Sequence, residues 1–534
     1  MFKKIMIIFF TIFTISYAKN ILEIEKRREE QNKFDSLVNE NLYKQENKMV
    51  DVENDFIVDI ENIKIFGNTI LESFQINPIL KKYIGKNKNL SKLINDLENK
   101  YIDKGYITTR IKIDFEKSDF GMGNISLFVY EGKIDKIYFD TKENKFKSYI
   151  TFPKRENNIL NIRDLDQGIE NLGDNSTMDI NPASENGYSD IFIKNEKQSI
   201  LSAGINYNDL GQKETGRHRY KVFLNLHSLL NLNENISFSF QEKLQRQKKD
   251  RNTGNYSIVF SIPYKYYTFS YSYEYSDYLR TVSALGRKYY ATGNTVNQSF
   301  SLRRVVHRNE NHKIDFGASI VLKDSKNYID DVKLTTGSRS LSVLSLDTAY
   351  TGRVASGLLS GSISTSFGLK KFGANIDTNE WYREESSPKA QFRKYNFNLS
   401  WYRPIEKYYY KLNLGLQYSK DILYSQEKLG IGDDTTVRGF KDESLQGDSG
   451  LYLRNELGYK GLSIIEPFVA YDFGYVKNNK IVEDYKRRLQ GLTLGARISY
   501  KNFEGSITLS KAIDKPSFFK EDSAVVYTSL TYKF

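Results

Sequence analysis

The chain has 534 residues, no Cys, 39 Tyr and 33 Phe against 2 Trp, and a formal net charge of +12. Without Cys it forms neither a disulfide nor a thiolate metal site, which excludes a small secreted disulfide scaffold. The basic residues are spread along the chain among 66 acidic ones and no nucleic-acid-binding motif occurs, so the charge does not point to nucleic acid.

Residues Met1 to Ala18 read as a secretory signal: Lys3 and Lys4 supply the basic start, Ile5 to Ile15 the apolar run, and Ser16-Tyr17-Ala18 the cleavage site. The mature chain is expected to begin near Lys19. The apolar run is too short to cross a bilayer, and no other segment approaches the roughly 20 apolar residues that a transmembrane helix needs. Polar mean hydropathy with 14% aromatic residues suits instead a barrel whose strands alternate between lipid and a wet lumen.

From about Ile21 to Lys48 the chain is dense in Glu, Lys, Arg, Gln and Asn and lacks Gly and Pro, which predicts a polar helix followed by a flexible linker. From Phe56 to Glu196 the pattern is mixed α/β. Ile63 to Phe66 form a strand ending at Gly67-Asn68; Leu90, Leu93, Ile94, Leu97 and Tyr101 recur at helical spacing until Gly105; strands follow at Tyr106 to Phe115 and Asn124 to Tyr130. A shorter copy has a strand at Lys133 to Phe139, a helix around Leu165 to Leu172, and strands at Thr177 to Ile180 and Tyr188 to Lys194. The order strand, helix, helix, strand, strand makes each a small α+β unit.

Beyond Ile200 the texture is all-β. Tyr267, Phe269, Tyr271, Tyr273 and Tyr275 alternate with small or polar residues, as do Leu412, Leu414, Leu416 and Tyr418. Sixteen strands are predicted, the first near 200–208 and the last near 523–534. Their connections alternate between long loops, such as 246–254, 280–294 and 325–337, and tight turns such as 264–266 and 308–312. This is the pattern of a transmembrane barrel with long outer loops and short inner turns.

No catalytic constellation is apparent. His218, His227, His307 and His312 lack the spacing of a zinc site, and neither a nucleophile elbow nor a phosphate-binding loop is present; no metal and no cofactor are expected. The residues singled out are Val437-Arg438-Gly439-Phe440, in a long polar segment at about 421–449. A loop of this kind can fold into a barrel lumen, where the guanidinium requires a carboxylate to offset its desolvation.

These features resemble the two-partner secretion transporters (TpsB type, haemolysin activator/secretion protein family) of the superfamily that joins POTRA domains to a barrel. The resemblance rests on the Val437 to Phe440 loop motif, the Phe468 to Gly474 strand carrying Asp472, the flanks Gly447 to Gly450 and Arg454 to Leu457, and four stretches in the α+β units. Those are Phe66-Gly67-Asn68, Tyr101 to Tyr106, Val129 to Ile134 and Asn161 to Gly168. The resemblance implies Asp472 as the partner of Arg438, and alternation is consistent with this, since it places Asp472 on the same strand face as Phe468 and Ala470. It also implies two mixed α+β periplasmic POTRA-like domains (56–131 and 132–198) and a 16-stranded antiparallel transmembrane β-barrel (199–534). Ahead of them stand the signal peptide (1–18) and a polar helix with linker (19–55) that is a possible pore plug.

The implied protein is no enzyme. It is an outer-membrane transporter that recognises an unfolded exoprotein with its periplasmic domains and secretes it through the barrel; the alternative is a barrel assembly factor. The exoprotein partner would be of haemolysin, adhesin or contact-dependent toxin type; the other partners are outer-membrane lipid and, during biogenesis, the barrel assembly machinery. Leu93, Leu97, Thr108, Arg110 and Lys112 are expected to frame a groove for the exported chain by edge-strand addition. Tyr532 and Phe534 end the last strand in a pattern resembling the C-terminal assembly signal of outer-membrane proteins.

Overall fold

The computed structural model describes residues 23–38 and 56–534, apart from 174–175, 196–198, 214, 245–252, 285–286, 336, 378–386, 481–485 and 521–522. The signal segment Met1 to Ala18 and the linker at 39–55 lie outside the described residues. A helix at 23–38, α1, comes first.

In the first α+β unit, β2 (Asn62–Phe66) runs parallel to β5 (Asn124–Tyr130), which pairs antiparallel with β4 (Arg110–Ile113), while β1 (Ile57–Ile60) pairs with β3 (Gly85–Asn89). Two helices, α2 (Ser73–Lys82) and α3 (Leu90–Asp103), complete the unit. Asn89 caps α3 by accepting from the Lys92 N–H at 2.9 Å. Leu90, Leu93, Leu97 and Tyr101 form its buried face against Ile63, Ile111, Ile125, Leu127 and Val129. Each leucine so buried contributes about 2 kcal/mol of transfer free energy.

Two expectations change here. The strand expected over Tyr106–Phe115 is only four residues long, because the chain turns first, with the Thr109 N–H bonded to the Tyr106 carbonyl. The β1–β3 pair was not foreseen: Gly85-Lys86-Asn87-Lys88-Asn89 has no apolar alternation and is strand only through its partner.

The second unit has the sheet order β7 (Lys142–Glu143), β6 (Lys133–Phe139), β9 (Tyr188–Asn195), β8 (Ser176–Pro182), with α4 (Lys145–Thr151) and α5 (Ile162–Leu172). Its junction with the first unit is hydrogen-bonded: Ile162 N–H to the Gly105 carbonyl and Leu160 N–H to the Gly132 carbonyl, each 2.8 Å. Gly105, at φ +95°, leaves no room for a Cβ beside Asn161.

Sixteen antiparallel strands, from Leu201–Asn208 to Val525–Lys533, then close into a barrel. Closure pairs the first strand with the last, from Gly204 with Lys533 to Asn208 with Ser529. The loop expected at 280–294 is instead mostly strand: Tyr267–Ala284 and Arg287–Arg308 stay paired up to Ala284 with Arg287. Residues such as Thr281, Tyr289 and Tyr290 carry the β propensity that prolongs the ladder. The following hairpin likewise extends to Ile329 and adds a two-residue strand, Val332–Lys333.

The second unit is seated on the short turns of the barrel. Asn171 donates to the Lys265 carbonyl at 2.8 Å and Lys265 N–H to the Ile150 carbonyl at 3.0 Å. Glu170 pairs with Lys313 at 2.7 Å and with Arg308, and Tyr266 donates to Asp164.

Candidate functional site in the barrel lumen

Between the strands Tyr408–Ser419 and Ser449–Tyr459 the chain leaves the wall and fills part of the lumen. Its two limbs pair as a short hairpin, Leu429–Ile431 with Leu445–Gly447. Glu427 anchors it with ion pairs to the wall residues Lys323 at 2.6 Å and Lys394 at 2.7 Å. At the tip, the Asp433 Oδ1 accepts from Thr435 N at 2.7 Å and Thr436 N at 2.8 Å, closing the turn that leads into Val437.

Val437 and Phe440 are fully buried, packing with Leu429, Ile431, Tyr452, Val476, Leu489 and Phe519. Those contacts aim Arg438 at the wall. Its Nε donates to Asp472 Oδ2 at 2.7 Å and its Nη2 to Asp472 Oδ1 at 2.8 Å, a bidentate pair, and its backbone N–H adds a third bond at 3.1 Å. The Arg438 side chain is 4% exposed and that of Asp472 0%. Deleting one partner would strand the other charge, at a cost of about 3–5 kcal/mol.

Strand alternation builds the rest of the site. Tyr452, Arg454 and Glu456 share the lumen face of their strand, and Arg454 stands directly across from Asp472. Glu456 accepts from Arg438 at 3.4 Å and pairs with Arg497 at 2.7 Å, and Arg454 lies 4.0 Å from Asp472, so two carboxylates serve three guanidinium groups in one network. Glycines on the facing wall give the loop its depth. A Cβ on Gly491 would lie 1.9 Å from the Arg438 carbonyl oxygen, and one on Gly474 2.7 Å from the Val437 side chain.

Helix α1 lies against this loop. Arg28 donates to both carboxylate oxygens of Asp434, through Nε at 2.8 Å and through Nη2, and Arg27 Nη1 donates to the Gly430 carbonyl at 3.0 Å. Lys411 and Lys221 of the wall pair with Asp35 and Glu29, and Phe34 and Val38 pack on Leu358, Tyr402 and Tyr409. A polar cavity of about 150 Å³ remains between helix, loop and wall, bordered by Gln31, Asp35, Lys411, Arg438, Arg454 and Glu456.

Residues 187–498 match the family described as haemolysin secretion/activation protein ShlB/FhaC/HecB. The chain belongs to this family. Residues 58–132 and 133–182 match POTRA domains, the first of ShlB type. Among curated relatives, the outer membrane transporter CdiB of Dickeya dadantii is 27% identical over 88% of this chain and 85% of its own length. The hemolysin transporter protein HpmB of Proteus mirabilis is 26% identical over 91% and 90%. The solved structure of CdiB from Escherichia coli shares the fold, with a TM-score of 0.87 at 24% identity, covering 96% of this chain and 98% of that one.

As a member of the haemolysin secretion/activation family, the protein is an outer-membrane transporter whose POTRA domains are periplasmic. The other expected residues divide. Leu93 and Leu97 are 0% and 1% exposed, so they form the core of the first POTRA domain and do not frame an accessible groove. Thr108 is wedged against Gly132 at the junction of the two POTRA domains and faces no open groove either. Arg110 and Lys112 are exposed, on one face of β4. The edge of β4 is itself occupied, since the Ile111 N–H donates to Glu98 at 2.7 Å; this closes one of the donors that strand addition would use. Tyr532 and Phe534 are exposed on the outer side of the barrel seam, and the Phe534 N–H bonds to the Ala203 carbonyl at 2.8 Å.

Sequence reasoning did not identify Arg27, Arg28, Asp433, Asp434 and Arg497. The alternation that turns Asp472 inward also puts Arg497 on the lumen face, but nothing local marks which lumen charges meet.

Proposed function

We propose that this transporter exports an unfolded partner polypeptide of the haemolysin, adhesin or contact-dependent toxin class, captured by its POTRA domains and passed through the lumen once α1 is displaced. In the resting state α1 plugs the barrel, and the Arg438–Asp472 pair holds the inserted loop against the wall where it receives the plug. The observation that carries this reading is the bridge made by α1, which bonds to the loop through Arg28 and Asp434 and to the wall through Asp35 and Lys411. Four of its charged side chains, Arg27, Arg28, Glu29 and Asp35, meet opposite charges of the loop or wall, so ion pairs that water can replace one at a time contribute to its seat. The chain's sequence carries no nucleotide-binding loop, and folding of the exported polypeptide outside the cell would supply direction.

The test is secretion of a candidate partner, encoded beside this chain, by cells carrying the wild type, Arg438→Ala or no transporter, with barrel abundance in the outer membrane measured in parallel. Secretion that requires the chain and collapses in the variant at normal abundance supports the reading. Unchanged secretion without the chain, with loss of other outer-membrane barrels, would replace it with an assembly role.

A further inference from the structure

The sheet of the first POTRA domain has one face against α2 and α3, and its other face is toward solvent except at Ser126, which is buried under the Lys117–Ser118 segment. On the solvent face the register sets Phe66 beside Phe128 and Phe128 beside Lys112, in a single row across β2, β5 and β4; Tyr130 and Arg110 form the next row, and Lys64 stands beside Ser126. Tyr130 is 50% exposed and Phe66 37%. The Phe128 and Tyr130 rings lie 4.7 Å apart. Cations sit over these rings: Lys112 Nζ is 5.6 Å from the centre of Tyr130 and Lys117 Nζ 5.0 Å from that of Phe66.

None of the outward positions of these three strands carries a carboxylate: besides the residues named, they are Asn62 and Asn124. Of the flanking carboxylates, Glu131 accepts from Thr69 and Asp114 pairs with Lys117, so Lys64, Arg110 and Lys112 supply the net positive charge of the face. A solvated sheet face ordinarily mixes both signs of charge and keeps large aromatics apart. This one pairs exposed aromatics with cations of a single sign, an arrangement that stacks on apolar or aromatic groups while attracting carboxylates.

We propose that this aromatic and basic face of the first POTRA domain, and not the edge of β4, is where the exported polypeptide is first held, and that it selects acidic, aromatic-containing extended segments. The proposal rests on the export reading above and names its recognition chemistry. Charge complementarity gives the selectivity; the occupied Ile111 N–H and the buried Leu93 and Leu97 count against the groove beside β4. The contact is long-range and screened, so it should capture quickly and release easily, as a polypeptide in transit requires.

The test uses the full chain in zwitterionic detergent micelles and two fluorescein-labelled peptides of equal length, one alternating Asp with Tyr and the other Lys with Tyr, read by anisotropy. The Asp peptide is expected to bind and to lose about tenfold in affinity in the Lys64→Glu/Lys112→Glu variant and again in high salt, with the Lys peptide binding only to the variant. Both substitutions are at exposed positions, and Phe66→Ser/Tyr130→Ser provides a second variant that removes stacking without changing charge. Equal binding of the two peptides, or an Asp peptide indifferent to both variants, overturns the proposal. So does binding of phosphatidylglycerol vesicles through the same residues without peptide binding, which would make this face a lipid contact. Secretion by the wild type is scored separately: secretion with no peptide preference sinks only this inference, whereas its absence sinks the export reading.

Discussion

Arg28 of the lumen helix and Asp434 at the tip of the inserted loop form a two-pronged ion pair, so the helix is held by the inserted loop as well as by the wall. Glu25 on the same helix also engages Arg28, which orients the guanidinium toward the loop. Reversing one partner, in Arg28→Asp, should raise the open fraction of channels in planar bilayers, because it sets like charges against each other inside the lumen. The reciprocal Arg28→Asp/Asp434→Arg pair should bring conductance back toward wild type, with a coupling of about 1–3 kcal/mol. If the double variant is as leaky as the single one, the pair does not hold the plug.

Arg438 presents a different case, since its partner Asp472 is fully buried. Arg438→Lys should fail nearly as badly as Arg438→Ala in secretion, with at least a tenfold loss in each, because an ammonium cannot reproduce the two parallel bonds to one carboxylate. Both variants should also unfold at lower temperature in heat-modifiability gels, and Arg438→Ala by more, because it leaves the buried Asp472 with only Arg454, at 4.0 Å, as a charged partner. The exchange Arg438→Asp/Asp472→Arg should recover part of the thermal loss. Full secretion by the Lys variant would show that charge alone suffices.

The barrel was legible in the sequence for a physical reason: lipid on one side and water on the other impose a period of two, and the sixteen strands obey it closely enough to be found, whereas the loop motif was legible through its resemblance to the family. The same alternation turns Asp472 inward. What the sequence concealed is which lumen charges meet. Arg28 and Asp434 are separated by 406 residues and each sits in a polar run where any neighbour could have been the partner. The helix face of the first POTRA domain misled for the opposite reason, because apolar spacing at Leu93 and Leu97 marks burial equally well in a groove and in a core, and the core claimed them. The strand at 85–89 has no signal of its own and exists only through its pairing with β1.

Gly491 tests how closely the loop must approach the wall. A methyl group there would meet the Arg438 carbonyl oxygen at 1.9 Å, backbone against strand, with no flexible side chain to move aside. Gly491→Ala should therefore push the loop off the wall, weaken the Arg438–Asp472 pair and expose the loop to added protease in purified protein. Gly361→Ala is the control: it is also in a barrel strand, but its nearest neighbour would be at 3.4 Å. An unaltered cleavage pattern in Gly491→Ala would mean that the strand yields instead of the loop.

The seat of the second POTRA domain on the barrel turns should depend on pH through Glu170 and Asp164, in opposite senses. Burial alone would raise the Glu170 carboxyl, but Lys313 and Arg308 outweigh it and bring the group down to about 2. A carboxyl depressed on folding contributes stability that is fully present above its ordinary value, near 4.5, and is lost as pH falls toward the folded one. Asp164 is raised, because its burial outweighs the hydroxyl that Tyr266 donates to it, so its charged form is a cost to the folded state that grows as pH rises through that higher value. A cross-link engineered between α5 and the turn at 308–312 should thus form equally well at pH 7 and pH 5 and fail only in stronger acid. Glu170→Gln should loosen it already at pH 7, modestly because the side chain is 44% exposed and screened, whereas Asp164→Asn should leave it unchanged or tighter. Loosening of the wild type between pH 7 and pH 5 would assign control of this joint to some group other than Glu170.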